Sequence, residues 1–106
     1  MKRYAIHWAA LDPSRGSEMA KTRPVVIVSL NALNLRLKTV TICPLTSQLH
    51  PDWRTRLRVR CGIKHADVAV YHIRSISKER LGARIGTLTD AEAAALRRLI
   101  TEMYGE

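Results

Sequence analysis

Short runs of β-branched and aliphatic residues, each closed by a polar turn, fill the first 88 positions of this chain, and one helical periodicity fills the rest. Ala5 to Leu11 mixes apolar and aromatic residues and stops at Asp12-Pro13, a turn pair. Pro13 to Thr22 is polar, contains Gly16 and reads as an exposed loop. Pro24 to Leu30 (PVVIVSL) has almost no polar position, so it predicts a strand buried on both faces. Asn31 to Asn34 reads as a turn. Thr39 to Leu45 alternates, with Val40 and Ile42 on one face and Thr39, Thr41 and Cys43 on the other. Pro44 lacks a backbone N–H, which predicts the strand's end or a place at a sheet edge. Thr46 to Trp53 is a second polar loop.

The sharpest periodicity follows. Arg54, Arg56, Arg58 and Arg60 alternate with Thr55, Leu57, Val59 and Cys61, which puts the guanidinium groups on one strand face. Gly62 and Lys64 mark a turn, and Asp67 to Ile76 reads as one strand with Val68, Val70, His72 and Arg74 on one side. Ser77 to Arg80 looks like a single helical turn, and Ala83 to Leu88 like a short last strand. Thr89 and Glu92 then fit a capping box, each bonding the other's backbone N–H. Leu96, Leu99, Ile100 and Met103 form an apolar helical stripe, and Gly105 suits the C-terminal cap. The expected class is mainly β, a barrel or sandwich with a C-terminal helix covering an opening of the sheet. One domain over residues 1–106 is expected, with barrel 1–88 and helix 89–104.

Charge narrows the function. The chain carries 18 Lys and Arg against nine Asp and Glu, a formal charge of +9. Such an excess favours a polyanionic partner. No apolar run approaches the ~20 residues that span a bilayer. Met1-Lys2-Arg3-Tyr4 lacks the apolar stretch of a secretory signal, so a cytoplasmic place is expected, with no membrane partner. Cys43 and Cys61 sit in strand-like segments and read as buried thiols. Cys61-x-x-x-His65 lacks two further ligands for zinc, and no phosphate-binding glycine loop or hydrolase motif occurs. No metal and no cofactor are therefore expected, which leaves acid/base or electrostatic chemistry on a phosphodiester.

Several residues are candidates, each with a plainer alternative. Arg23 sits between a polar loop and a buried strand, where a guanidinium can fork onto a phosphate or simply line a strand edge. Thr46 and Ser47 at a strand end can bind phosphate oxygens or just form a turn. Glu18 can act as a base toward a ribose hydroxyl or be a solvated loop acid. His72 can titrate near neutral pH or be structural. The arginine ladder repels itself unless something acidic covers it, so it fits either a polyanion or a protective, solvated edge.

At this point the chain resembles the MazF/PemK toxins of toxin–antitoxin pairs. Leu11-Asp12-Pro13-Ser14-Arg15-Gly16-Ser17-Glu18, followed by Lys21-Thr22-Arg23-Pro24-Val25-Val26-Ile27-Val28-Ser29, carries the first motif. Pro44-Leu45-Thr46-Ser47 resembles the second, and Ile73-Arg74-Ser75-Ile76 with Arg80-Leu81-Gly82 the third. Ile85-Gly86-Thr87-Leu88-Thr89 leads into the family's terminal helix. The resemblance implies an SH3-like β-barrel of the CcdB/PemK toxin type, a homodimer and a cognate acidic antitoxin. It also implies metal-independent cleavage of single-stranded RNA by 2′-hydroxyl attack, leaving 2′,3′-cyclic phosphate and 5′-hydroxyl ends. Arg23, Thr46 and Glu18 match the family's functional arginine, hydroxyl and loop acid. Arg15, Ser17, Ser47, Arg54, Arg56, Arg58 and Tyr71 are the expected RNA contacts.

The chain departs from the family at two places. Tyr4-Ala5 stand where many relatives begin Gly-Asp, and Tyr71-His72 where relatives carry an acid and Gln. Either His72 takes over an acid/base role or Tyr71 stacks on a base. Two rival functions remain: a gyrase poison of the CcdB type and a catalytically silent RNA-binding module. The ending Met103-Tyr104-Gly105-Glu106 lacks the Trp-Gly-Ile of the former.

Overall fold

The run Pro24-Val25-Val26-Ile27 offers no polar side chain to a solvent face, and Val25, Val26 and Ile27 are each 0% exposed. In a computed structural model, which describes residues 1–11, 22–47, 56–61 and 64–105, they form β2 (Thr22–Ile27). The other strands are β1 (Ala5–Ala10), β3 (Thr39–Thr46), β4 (Arg56–Cys61), β5 (Lys64–Ala69), β6 (Arg74–Ser77) and β7 (Leu81–Thr87). They build a half-barrel sheet in the order β4-β5-β3-β2-β1-β7, with β6 pairing β3. Every pairing is antiparallel. Two α-helices, α1 (Asn31–Arg36) and α2 (Asp90–Tyr104), and two 3₁₀ turns, Val70–His72 and Lys78–Arg80, complete the described elements. Neither α-helix is long and apolar enough to cross a membrane.

The sheet buries apolar residues on both faces, as the composition of β2 requires. Val26 joins Ile6, Cys43, Leu45, Val59 and Val68 in one core, together with Leu96 of α2. Val25 and Ile27 join Ala9, Val40, Ile42 and Ile76 in the other. The capping box starts α2 as expected: Glu92 N–H donates to Thr89 Oγ1 at 3.1 Å, and Thr89 N–H to Glu92 Oε1 at 2.9 Å. The second carboxylate oxygen accepts the Arg60 N–H at 2.8 Å, tying the helix start to β4. At the other end, Tyr104 Oη donates to the Val70 carbonyl at 3.1 Å.

The structure corrects three expectations. Asn31–Asn34 is not a simple turn but the start of α1, closed by Asn34 N–H to Leu30 O and Leu37 N–H to Leu33 O, both 2.9 Å. Buried Asn34 locks it in place by bonding the Ser29 backbone and hydroxyl. Pro44 neither ends β3 nor lies at an edge; it is buried inside a central strand, opposite Val25. Thr41 turns its carbonyl toward β2, where it accepts from Val28 N–H, so two-residue alternation turns the Pro44 nitrogen the other way. On that side β3 changes partner between Ile42, paired with Arg74, and Leu45, paired with Val68, so the missing N–H costs no ladder bond. The single strand expected over Asp67–Ile76 is two, β5 and β6, separated by a 3₁₀ turn over Val70–His72. Both strands pair with β3, so the chain must turn a corner between them. Val68 and Val70 are buried there, whereas His72 and Arg74 are exposed.

Tyr4 has φ of 70°, the one positive φ recorded at a non-glycine residue among those described. Its N–H donates to Ile27 O and its carbonyl accepts from Leu88 N–H, fixing the backbone from both sides. An L-residue with a side chain gives up about 1–2 kcal/mol in that conformation. The ring offsets this through two guanidinium groups near its face, Arg3 at 4.8 Å and Arg97 at 5.7 Å, with Arg97 Nη1 donating to its hydroxyl at 3.2 Å. Tyr4→Ala loses the ring and keeps the strain; Tyr4→Gly loses the ring and relieves it. Urea denaturation is expected to find the glycine variant more stable than the alanine variant by about 1 kcal/mol.

Candidate functional site

The β2–β3 pairing runs from Ile27↔Ile42 through Val25↔Pro44 toward Arg23 and Thr46, and so carries both to the same end of the sheet. A cavity of about 360 Å³ opens there. Its polar lining comes from Trp8 of β1, Arg23 of β2, Thr46 and Ser47 at the end of β3, and Lys64 and His65 of β5. Pro24, Leu45, Ala66 and Ile85 supply apolar wall. Arg23 is half-buried, with its Nε enclosed, so the guanidinium stem is held by its surroundings. Thr46 is half-buried, and Ser47 and His65 are exposed.

Two cations and no carboxylate line this cavity among the described residues. That field suits an anion, and the arginine fork and hydroxyls provide donors for phosphate oxygens. Trp8, 42% exposed, adds an aromatic face at the rim. Cys61 also lines the cavity, and burial pushes its thiol up from the ordinary value, which favours the unreactive protonated form.

The expected residues divide into four groups. Arg23, Thr46 and Ser47 meet in the cavity. Arg15, Ser17, Glu18 and Arg54 lie outside the described residues. Tyr71 and His72 sit on the 3₁₀ turn after β5, their rings 4.4 Å apart, and neither lines the cavity. Arg56 and Arg58 are held in β4, opposite Ala69 and Asp67. The ladder's repulsion has an internal answer, because Asp67 is only 2% exposed and its Oδ1 lies 3.6 Å from Arg58 Nε. The alternation that reads Arg58 and Arg60 outward and Val59 inward holds.

Trp8, Lys64 and His65 are the lining residues that the sequence pattern did not single out. A lone aromatic on a mostly apolar strand was one available signal. Lys64 gave none and His65 only its spacing from Cys61, because the long-range pairing of β5 with the end of β3 is what brings them here.

Burial also sets the behaviour of Cys43, which is fully enclosed between the sheet and α2 and has its thiol pushed up from 9.0 to about 12. The folded state therefore holds a proton that the unfolded chain releases between those values. Stability is intact below pH 9 and falls as pH rises through that window. Urea midpoints at about pH 8 and pH 10 are expected to differ less in Cys43→Ala than in the parent chain.

Residues 2–104 match the family described as PemK-like, MazF-like toxin of type II toxin-antitoxin system. The chain belongs to this family. Endoribonuclease MazF9 of Mycobacterium tuberculosis is 36% identical over 110 residues, covering 91% of this chain and 89% of MazF9. Among solved structures, the Mycobacterium tuberculosis toxin MazF-mt6 superposes with a TM-score of 0.78 at 26% identity, over 94% of this chain and 95% of that one. MazF of Deinococcus radiodurans shares the fold with a TM-score of 0.84 at 20% identity, over 100% and 97% of the two chains. An endoribonuclease from a mycobacterial species, solved in complex with its cognate antitoxin, superposes with a TM-score of 0.83 at 21% identity, over 99% and 95%. MazF-type toxins are endoribonucleases, and membership sets the enzyme class of this chain. Tyr71 and His72 fall away from the cavity.

Proposed function

We propose that this MazF-type toxin cuts single-stranded RNA at short sequences, without a metal ion, by attack of a ribose 2′-hydroxyl on the adjacent phosphate. The observation that carries the reading is the meeting of Arg23, Thr46 and Ser47 in one cationic cavity, at the shared end of β2 and β3. Arg23 stabilises the charge that develops on the pentacoordinate phosphorus. Thr46 and Ser47 donate to the phosphate oxygens and hold it in place. Glu18 is the carboxylate that takes the 2′-hydroxyl proton. Arg15, Ser17, Arg54, Arg56, Arg58 and Tyr71 are the proposed contacts along the strand, while His72, expected as an acid/base group, stands on a turn off the cavity.

The partners follow from charge and family. An acidic, partly disordered antitoxin tail fits the basic face and competes with RNA for it. The toxin works as a homodimer in the cytoplasm. Tyr71 and His72, the departure that sustains the second reading of an RNA-binding module without turnover, lie outside the cavity. Incubation with a long RNA in excess EDTA separates the two: cuts at a few recurring short sequences support the nuclease, while salt-dependent binding without cuts supports the module.

A further inference from the structure

Resting on the nuclease reading, we infer that His65 is the general acid of the reaction, giving its ring proton to the departing 5′-oxygen. In-line displacement at phosphorus has two proton transfers. The 2′-hydroxyl loses one as its oxygen bonds phosphorus. The 5′-oxygen needs one as the bond from phosphorus breaks, because an alkoxide is a poor leaving group in water.

The sheet register places His65 for the second transfer. Directly paired residues in an antiparallel ladder point to the same face, as do residues two apart on one strand. Thr46 pairs with Asp67, and Arg60 pairs with His65. Thr46, Asp67, His65 and Arg60 therefore share a face, with His65 diagonal to Thr46 at a separation that a side chain of this length spans. The cavity confirms the convergence from the other side, since Arg23, Thr46 and His65 all line it.

The remaining lining groups suit the role less well. A guanidinium does not give up its proton, so Arg23 stabilises charge and transfers none. The Cys61 thiol is a weak acid here, held protonated by burial. Imidazole is the side chain whose protonated form both gives and regains a proton near neutral pH. Lys64, beside His65 in sequence, supplies charge at the same wall. The step balances: the 2′-oxygen–phosphorus bond forms as its proton passes to the general base. The phosphorus–5′-oxygen pair leaves on oxygen, which takes the His65 proton, and water returns a proton to the ring.

The test uses two oligonucleotides carrying the mapped cleavage sequence. One has the ordinary 5′-oxygen at the scissile phosphate and the other a single bridging sulfur there. A thiolate leaves without protonation, so it does not need the acid. His65→Ala is expected to cut the ordinary substrate about 10²–10⁴-fold more slowly than the parent, and the sulfur substrate within a few-fold of it. His65→Gln, which keeps a polar side chain, is expected to behave the same way, with melting temperatures unchanged for both. Equal losses on the two substrates would make His65 a binding residue and overturn the proposal, as would no loss on either. A parent protein that cuts neither oligonucleotide would remove the nuclease reading itself, and the proposal with it.

Discussion

Arg23→Ala is expected to lower single-turnover RNA cleavage by about 10²–10³-fold while weakening RNA binding by no more than about tenfold. The two numbers differ because of when the guanidinium is needed. A ground-state phosphodiester carries one charge spread over two oxygens, and Lys64 at the same wall still attracts it. The pentacoordinate phosphorus gathers more charge on its equatorial oxygens, and a fork fixed in place answers it without reorganising. Arg23 is suited to that task because β2 and its enclosed Nε hold the stem at the cavity wall. Arg23→Lys keeps the charge and loses the fork, so it is expected to recover only part of the rate. A parallel loss of rate and affinity in Arg23→Ala would reduce the residue to a binding contact.

The second large effect is on stability. Leu96 is 0% exposed and fills the centre of the layer between α2 and the sheet, against Val26, Leu45, Val59 and Val68. Leu96→Ala is expected to cost about 2–5 kcal/mol in urea denaturation. That is a large part of the 5–15 kcal/mol, roughly, by which domains of this kind are stable. Leu35→Ala supplies the control: Leu35 is 84% exposed, and its loss is expected to change stability by less than about 0.5 kcal/mol. The contrast is local. Both residues are leucines on helices, but one is among the twelve buried residues of a core and the other faces solvent on α1.

What was legible in the sequence was what neighbours along the chain decide. The PVVIVSL run has no solvent face, and β2 accordingly feeds both cores. Thr89 and Glu92 satisfy each other's N–H groups within one turn, so the start of α2 could be read to the residue. What was hidden depends on pairing partners. Pro44 looks like an edge residue until β6 and β5 are seen to share the same side of β3 around it. The corner at Val70–His72 has no glycine or proline to announce it; it exists because two strands must meet one partner. The arginine ladder alone calls for an outside acid, yet Asp67 arrives opposite Arg58 through the β4–β5 register.

The candidate site divides in the same way. Arg23, Thr46 and Ser47 stand at strand ends that hydrophobic pattern and family resemblance both mark, and they meet in the cavity. His72 was attractive for its chemistry, but the turn that carries it lies off the cavity, and the histidine at the wall is His65. No local pattern distinguishes the two, because the difference lies in which one β3 recruits.

The most direct test of the central claim is the chemistry of the cut ends. A single-stranded RNA is incubated with the protein in excess EDTA, and the fragments are mapped and their termini analysed. Recurrent cuts bearing a 2′,3′-cyclic phosphate on one side and a 5′-hydroxyl on the other are the predicted result. Fragments ending in 3′-hydroxyl and 5′-phosphate would contradict attack by the 2′-hydroxyl, and intact RNA would contradict the nuclease.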